Sequence, residues 1–126
     1  MSEPALRIIT GSVYHPPDDA YPRLLIMRRW PRGVKKDSVD QWERDLGPSD
    51  ELLDAYNAGS LEWEEFARRY RAEVEGRAGL LDWVTRMATG TGVVLLCGSQ
   101  PEERCHRGLL AAIVRERAAR RAEPDA

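Results

Sequence analysis

The chain has 126 residues, 42% hydrophobic and 32% charged, the makeup of one soluble globular domain large enough to bury a core without disulfide or metal staples. Its 19 basic and 21 acidic side chains leave a net charge of −2 and a pI near 5.7, which argues against a general nucleic-acid coat while allowing a local basic patch. No apolar run approaches the roughly 20 residues of a membrane span, and Met1-Ser2-Glu3-Pro4 lacks the basic start and apolar stretch of a secretory signal, so a cytoplasmic location with reduced cysteines is expected.

Residues 6–14 (Leu-Arg-Ile-Ile-Thr-Gly-Ser-Val-Tyr) are rich in β-branched side chains and predict a first strand. The loop His15-Pro16-Pro17-Asp18-Asp19 follows, since each proline removes a donor and turns its predecessor away from helix. Residues 23–28 (Arg-Leu-Leu-Ile-Met-Arg) predict a second strand, apolar on both faces and therefore interior. Arg29-Trp30-Pro31-Arg32-Gly33 cannot continue as helix. Asp37 or Ser38 then caps a short helix reaching Leu46 and closed by Gly47-Pro48.

Ser49 caps a second helix to about Asn57, closed near Gly59. Ser60 starts a third, in which Trp63, Phe66, Ala67, Tyr70 and Val74 make one apolar stripe at helical spacing. Gly76 and Gly79 weaken the helix there, and a further helix over about 78–89 carries Leu80, Leu81, Val84 and Met87. After Gly90-Thr91-Gly92 comes the apolar strand Val93-Val94-Leu95-Leu96-Cys97, then a last helix from about Glu103 to Arg121 with Leu109, Leu110, Ile113 and Val114 on its apolar side. The pattern predicts an α/β fold: one domain over 1–126, with its core at about 6–115 and a frayed tail after the last helix. The strands near 6–14, 23–28 and 93–97 would form a small, mainly parallel sheet covered by helices.

Two segments follow apolar strands and carry the chemistry. In a parallel sheet the carboxyl ends of the strands face one crevice. The first segment holds Arg28, Arg29 and Arg32 around the rigid Trp30-Pro31 turn, and arginine matches carboxylate or phosphate with a planar fork of donors. The second, residues 97–107, holds Arg104 and Arg107 beside the N–H groups of a helix start. Together they predict an anion-binding cleft, with Trp30 able to wall a flat ligand; the bland alternative is that these arginines pair with surface carboxylates.

His106 is the natural proton carrier if there is catalysis, because its ordinary pKa lies near neutrality. Cys105, at a helix start beside His106 and Arg107, is the candidate nucleophile, since that setting favours a thiolate; Cys97 reads as a small apolar core residue. The segment from Cys97 to Arg104 is one residue too long for a thiol-phosphatase loop, and Pro101 with Glu102 and Glu103 makes a poor phosphate cradle. Cys97, Cys105 and His106 are also potential metal ligands. Structural zinc sites use four ligands and close cysteine pairs, and His15 is remote in sequence, so neither a metal nor a cofactor is expected. Trp63, Trp83 and Trp42 read as core.

Arg28-Arg29-Trp30-Pro31-Arg32-Gly33-Val34, Trp42, Leu46-Gly47-Pro48-Ser49 and Trp63-x-x-Phe66-x-x-x-Tyr70 resemble the YeaO-like family, a domain of unknown function numbered four-eight-eight. Leu95-Leu96-Cys97 with Cys105-His106-Arg107 is similar to another branch of that superfamily, and the resemblance spans residues 6–115. It implies a compact α/β domain and marks Arg28, Pro31, Arg32, Cys97, Cys105, His106 and Arg107, but implies no activity. Family members often carry Asp-Arg where this chain has Met27-Arg28, and Cys-Ala-Glu where it has Cys97-Gly98-Ser99. Losing both carboxylates weighs against hydrolytic or metal-dependent chemistry.

The resulting expectation is a small, phosphate-bearing ligand held by Arg28, Arg32 and Arg107 and walled by Trp30, with catalysis left open. Two alternatives come from other classes. One is a non-catalytic module that binds nucleic acid or protein through the arginine-rich loop. The other is a redox-responsive protein in which Cys97 and Cys105 form a reversible bond.

Overall fold

The computed structural model describes residues 6–17, 21–98 and 105–122. Four strands, β1 (Ile8–Ser12), β2 (Arg23–Leu25), β3 (Gln41–Trp42) and β4 (Val93–Cys97), form one sheet in the order β1-β4-β2-β3. All three ladders are parallel, with Ile8 opposite Val93, Arg23 opposite Val94 and Leu24 opposite Gln41. Among the described residues four helices complete the fold: α1 (Asp50–Asn57), α2 (Trp63–Glu75), α3 (Ala78–Thr89) and α4 (His106–Ala122). Among the described residues no helix is long and apolar enough to cross a membrane.

Strand β4 is central, and all five of its residues are buried, which explains its unbroken apolar run. Its side chains alternate between two cores, as the pleat requires. Val93 and Leu95, with Leu24 and Ile26, face the helices and meet Phe66, Tyr70, Leu81, Val84, Leu110 and Val114. Val94 and Leu96, with Leu25 and Val13, face the other way, where no helix lies among the described residues. Loop side chains and one from β3 cover that second face: Tyr21, Met27, Trp30, Val34 and Val39 pack against it together with Trp42.

The stripe expected on α2 is real: Phe66, Tyr70 and Val74 are buried. Ser49 caps α1 as its residue type predicts, its Oγ accepting from the Leu52 N–H at 3.2 Å. A tertiary contact reinforces this cap: the Glu73 carboxylate of α2 accepts from both the N–H and the hydroxyl of Ser49, at 2.9 and 2.5 Å.

The helix expected from Asp37 or Ser38 to Leu46 does not form. Two 3₁₀ turns, Lys36–Ser38 and Arg44–Leu46, flank β3 instead. The edge of β2 claims the backbone groups a helix would need. The Asp40 N–H donates to the Arg23 carbonyl and the Glu43 N–H to the Leu25 carbonyl, each at 2.9 Å. The Arg23 N–H in turn donates to the Asp40 carboxylate at 2.7 Å. The second strand is also shorter than expected as a ladder, ending at Leu25, although the Ile26 N–H still reaches the Leu96 carbonyl at 3.0 Å. Asp18, Asp19, Ser99, Pro101, Glu102, Glu103 and Arg104 lie outside the described residues, and α4 is described from His106.

Candidate functional site

A cleft of about 260 Å³ opens beyond the carboxyl ends of β2 and β4. It is lined by Met27, Arg28 and Arg29 after β2, by Pro48, Leu53, Tyr56 and Asn57 before and along α1, by Trp63 and Phe66 of α2, and by Cys105 and His106 at the start of α4. Three of the expected site residues, Arg28, Cys105 and His106, therefore share it. This is where parallel sheets place ligands, because strand ends leave backbone groups and loop side chains converging there.

Arg28 enters with a prepositioned guanidinium. Its Nη1 lies 2.9 Å from the Asp45 carboxylate, and its Nε and Nη2 point at the carbonyls of Pro48 and Gly47, at 3.3 and 3.5 Å. Gly47 lets that approach happen: a Cβ there would sit 2.6 Å from the Arg28 backbone nitrogen and 2.9 Å from the Met27 carbonyl carbon. Arg29 is more exposed, its side chain 66% accessible and paired with Asp50 at 2.8 Å.

His106 is buried, and its ring is fixed from both edges. Nε2 lies 2.5 Å from the Ile26 carbonyl; a carbonyl only accepts, so Nε2 carries a proton, and in the neutral imidazole Nδ1 is the nitrogen left with a lone pair. Nδ1 faces Cys97 Sγ at 3.7 Å. The Tyr70 ring meets the imidazole edge-on at 5.5 Å, while the Tyr70 hydroxyl donates to the Leu46 carbonyl at 2.6 Å. Cys97 and Cys105 are both buried thiols, their sulfurs 2.7 Å apart. The hydrogen bond with Cys97, and then burial, push the Cys105 thiol up to about 12. That direction runs against the thiolate expected from the helix start.

The other three expected ligand residues lie elsewhere. Arg107 is buried, its Nη1 donating to the carbonyls of Gly11 and Cys97, each at 3.2 Å. It ties the ends of β1 and β4 to the first turn of α4. Trp30 packs on the second face of the sheet, edge-on to Trp42 at 5.3 Å, with its Nε1 donating to the Val34 carbonyl at 2.9 Å. Arg32 is exposed and is not among the cleft-lining residues.

A family model described as "Active DUF488-N3 subclade" matches residues 8–118. The chain belongs to the DUF488 family. Uncharacterised proteins of Mycobacterium tuberculosis (strain ATCC 25618 / H37Rv) and Mycobacterium bovis are each 34% identical to it over 116 residues, covering 88% of this chain and 96% of theirs. The uncharacterised protein YeaO of Escherichia coli (strain K12) is 38% identical over 66 residues, 49% of this chain and 56% of its own. No solved structure matches.

Two features of this DUF488 domain come from tertiary packing. Tyr56, Trp63 and Phe66 wall the cleft as well as packing into the core, with Trp63 and Phe66 stacked at 5.4 Å. Their one legible signal is position, since Trp63 is the first residue of α2 and a stripe ending at a helix terminus is only half covered. The second is the convergence of Cys97, Cys105 and His106, all buried, with one ligand atom of each lying within 4.8 Å of the others. Spacing along the chain argues against that cluster. The sheet makes it, by setting the end of β4 beside the start of α4.

Proposed function

We propose that this DUF488 protein binds a small molecule with a flat apolar body and an anionic, phosphate-bearing head in the cleft beyond β2 and β4. One observation carries the reading: the cleft pairs two arginines, Arg28 and Arg29, with a wall of three aromatic rings, Tyr56, Trp63 and Phe66. Arginine forks take phosphate oxygens in a bidentate way, and aromatic faces take bases or other flat groups. The phosphate would displace the exposed carboxylates of Asp45 and Asp50, while Gly47 and Pro48 continue to orient Arg28. Arg32, Arg107 and Trp30, expected as ligand residues from the sequence, play no part in the proposed site.

The test is a thermal-shift series with nucleoside phosphates, sugar phosphates and inorganic phosphate, on the parent protein and on Arg28→Ala and Arg29→Ala variants. A ligand at about 100 times its Kd stabilises the folded state by about 2.7 kcal/mol. At about 4 °C per kcal/mol for a chain of this length, the melting temperature rises by about 10 °C. A saturable rise for one compound class that is lost in Arg28→Ala supports the proposal. Equal behaviour of parent and variants, or no rise with any phosphate compound, refutes it.

A further inference from the structure

We infer that Cys97, Cys105 and His106 form a binding site for a thiophilic divalent ion of the zinc class, with a coordination position facing the cleft. The three come from different places in the fold. Cys97 ends β4, Cys105 precedes α4 and His106 opens it. Two sulfurs and one imidazole nitrogen are the donor set zinc prefers, and Cys₂His with an exchangeable fourth position is an established catalytic arrangement for that ion.

Three observations support the assignment independently of the proposed cleft ligand. First, His106 is held as metal-bound imidazoles are held. Its Nε2–H is anchored on the Ile26 carbonyl at 2.5 Å, which fixes the tautomer and turns the Nδ1 lone pair towards Cys97 Sγ, 3.7 Å away. Second, the charge closes: a dication with two thiolates and a neutral imidazole is neutral overall, so three buried groups can hold it without a further counterion. Third, Cys105 and His106 line the cleft, so one side of the ion would meet water or a ligand entering there.

Binding breaks both S–H bonds, forms two metal–sulfur bonds and one metal–nitrogen bond, and releases two protons to solvent. The sulfurs stand 2.7 Å apart, whereas a tetrahedral ion with bonds of about 2.3 Å sets them about 3.8 Å apart. Loading the site therefore moves them apart by about 1 Å, a displacement at Cys105, which precedes the regular helix. The carboxylates missing at Met27 and Ser99 are not needed for such a soft-donor site.

The experiment uses full-length protein, reduced, stripped with a chelator and titrated with cobalt(II), then with zinc(II). The expected result is one equivalent of cobalt, bound with a sulfur-to-cobalt charge-transfer band and the intense visible bands of a tetrahedral site, both bleached by zinc. Cys97→Ser and Cys105→Ser should each cut the charge-transfer intensity by about half. His106→Asn should weaken binding at least tenfold, by about 1.4 kcal/mol or more, while keeping the sulfur band. If a variant does not fold, the parent's spectrum still decides, because the sulfur band reports thiolate ligation directly. No sulfur–cobalt band from parent protein with both thiols counted reduced, or undiminished binding in folded Cys97→Ser and Cys105→Ser, overturns the inference. So does a pair that closes to a disulfide in preference to binding zinc. The readout is the metal alone, so it stands or falls separately from the phosphate series.

Discussion

Tyr70→Phe tests how the helical core is tied to the cleft wall. Tyr70 is fully buried, and its hydroxyl donates to the Leu46 carbonyl at 2.6 Å. Burial, the main cause, holds the phenol well above its usual range, so it acts as a donor at any physiological pH. Leu46 is itself fully buried and immediately precedes Gly47 and Pro48, whose carbonyls orient Arg28. Phenylalanine keeps the ring and its packing on Phe66 and His106 but deletes the donor. The lost bond and the stranded carbonyl together cost about 1.5–2.5 kcal/mol. Unfolding entropy of about 2.1 cal/mol/K per residue converts that to a fall in Tm of about 6–10 °C for this chain. Differential scanning calorimetry on parent and variant measures it, with urea titration checking that the m-value is unchanged. A Tyr70→Phe protein melting within about 1 °C of the parent would show that the carbonyl is satisfied otherwise, and the reasoning would fail.

Gly47→Ala places a methyl group against the backbone of Met27 and Arg28, at 2.9 and 2.6 Å, and backbone cannot swing aside as a flexible side chain can. The expected loss is about 1–3 kcal/mol or more, read as a lower urea midpoint; an unchanged midpoint would rule out the close approach. Glu65 is held at about 2, down from 4.5, by hydrogen bonds first to Arg68 and then to Arg69. A depressed carboxylate stabilises the fold above its unfolded pKa, and that contribution disappears as pH falls through 4.5 towards 2. Glu65→Gln should therefore flatten the dependence of Tm on pH in that window at low ionic strength, with little effect in high salt because the pairs are exposed. Identical acid limbs for parent and variant would contradict this.

Elements with a local signature were legible in the chain. Strand β4 is apolar on both faces because it is buried on both; α2 repeats its apolar residues at helical spacing because one side packs inward; Ser49 caps α1 because a hydroxyl satisfies an orphan N–H whatever surrounds it. Arg28, Cys105 and His106 stand out as candidate site residues for a similar reason, lying near a strand end or at a helix start, and they line one cleft. Longer-range outcomes had no such signature. β3 exists because the edge of β2 accepts backbone bonds from residues 40–43, and nothing within Asp37–Leu46 announces that partner. Trp30 and Trp63 are alike as residues, yet one covers the far face of the sheet and the other walls the cleft, a choice made by packing rather than by neighbours in sequence. Arg107 reads as a ligand arginine until the ends of β1 and β4 present it with two carbonyls. The Cys97–Cys105–His106 cluster depends on tertiary structure most of all: its members are adjacent in space because a strand end and a helix start meet there, and periodicity along the chain carries no information about that meeting.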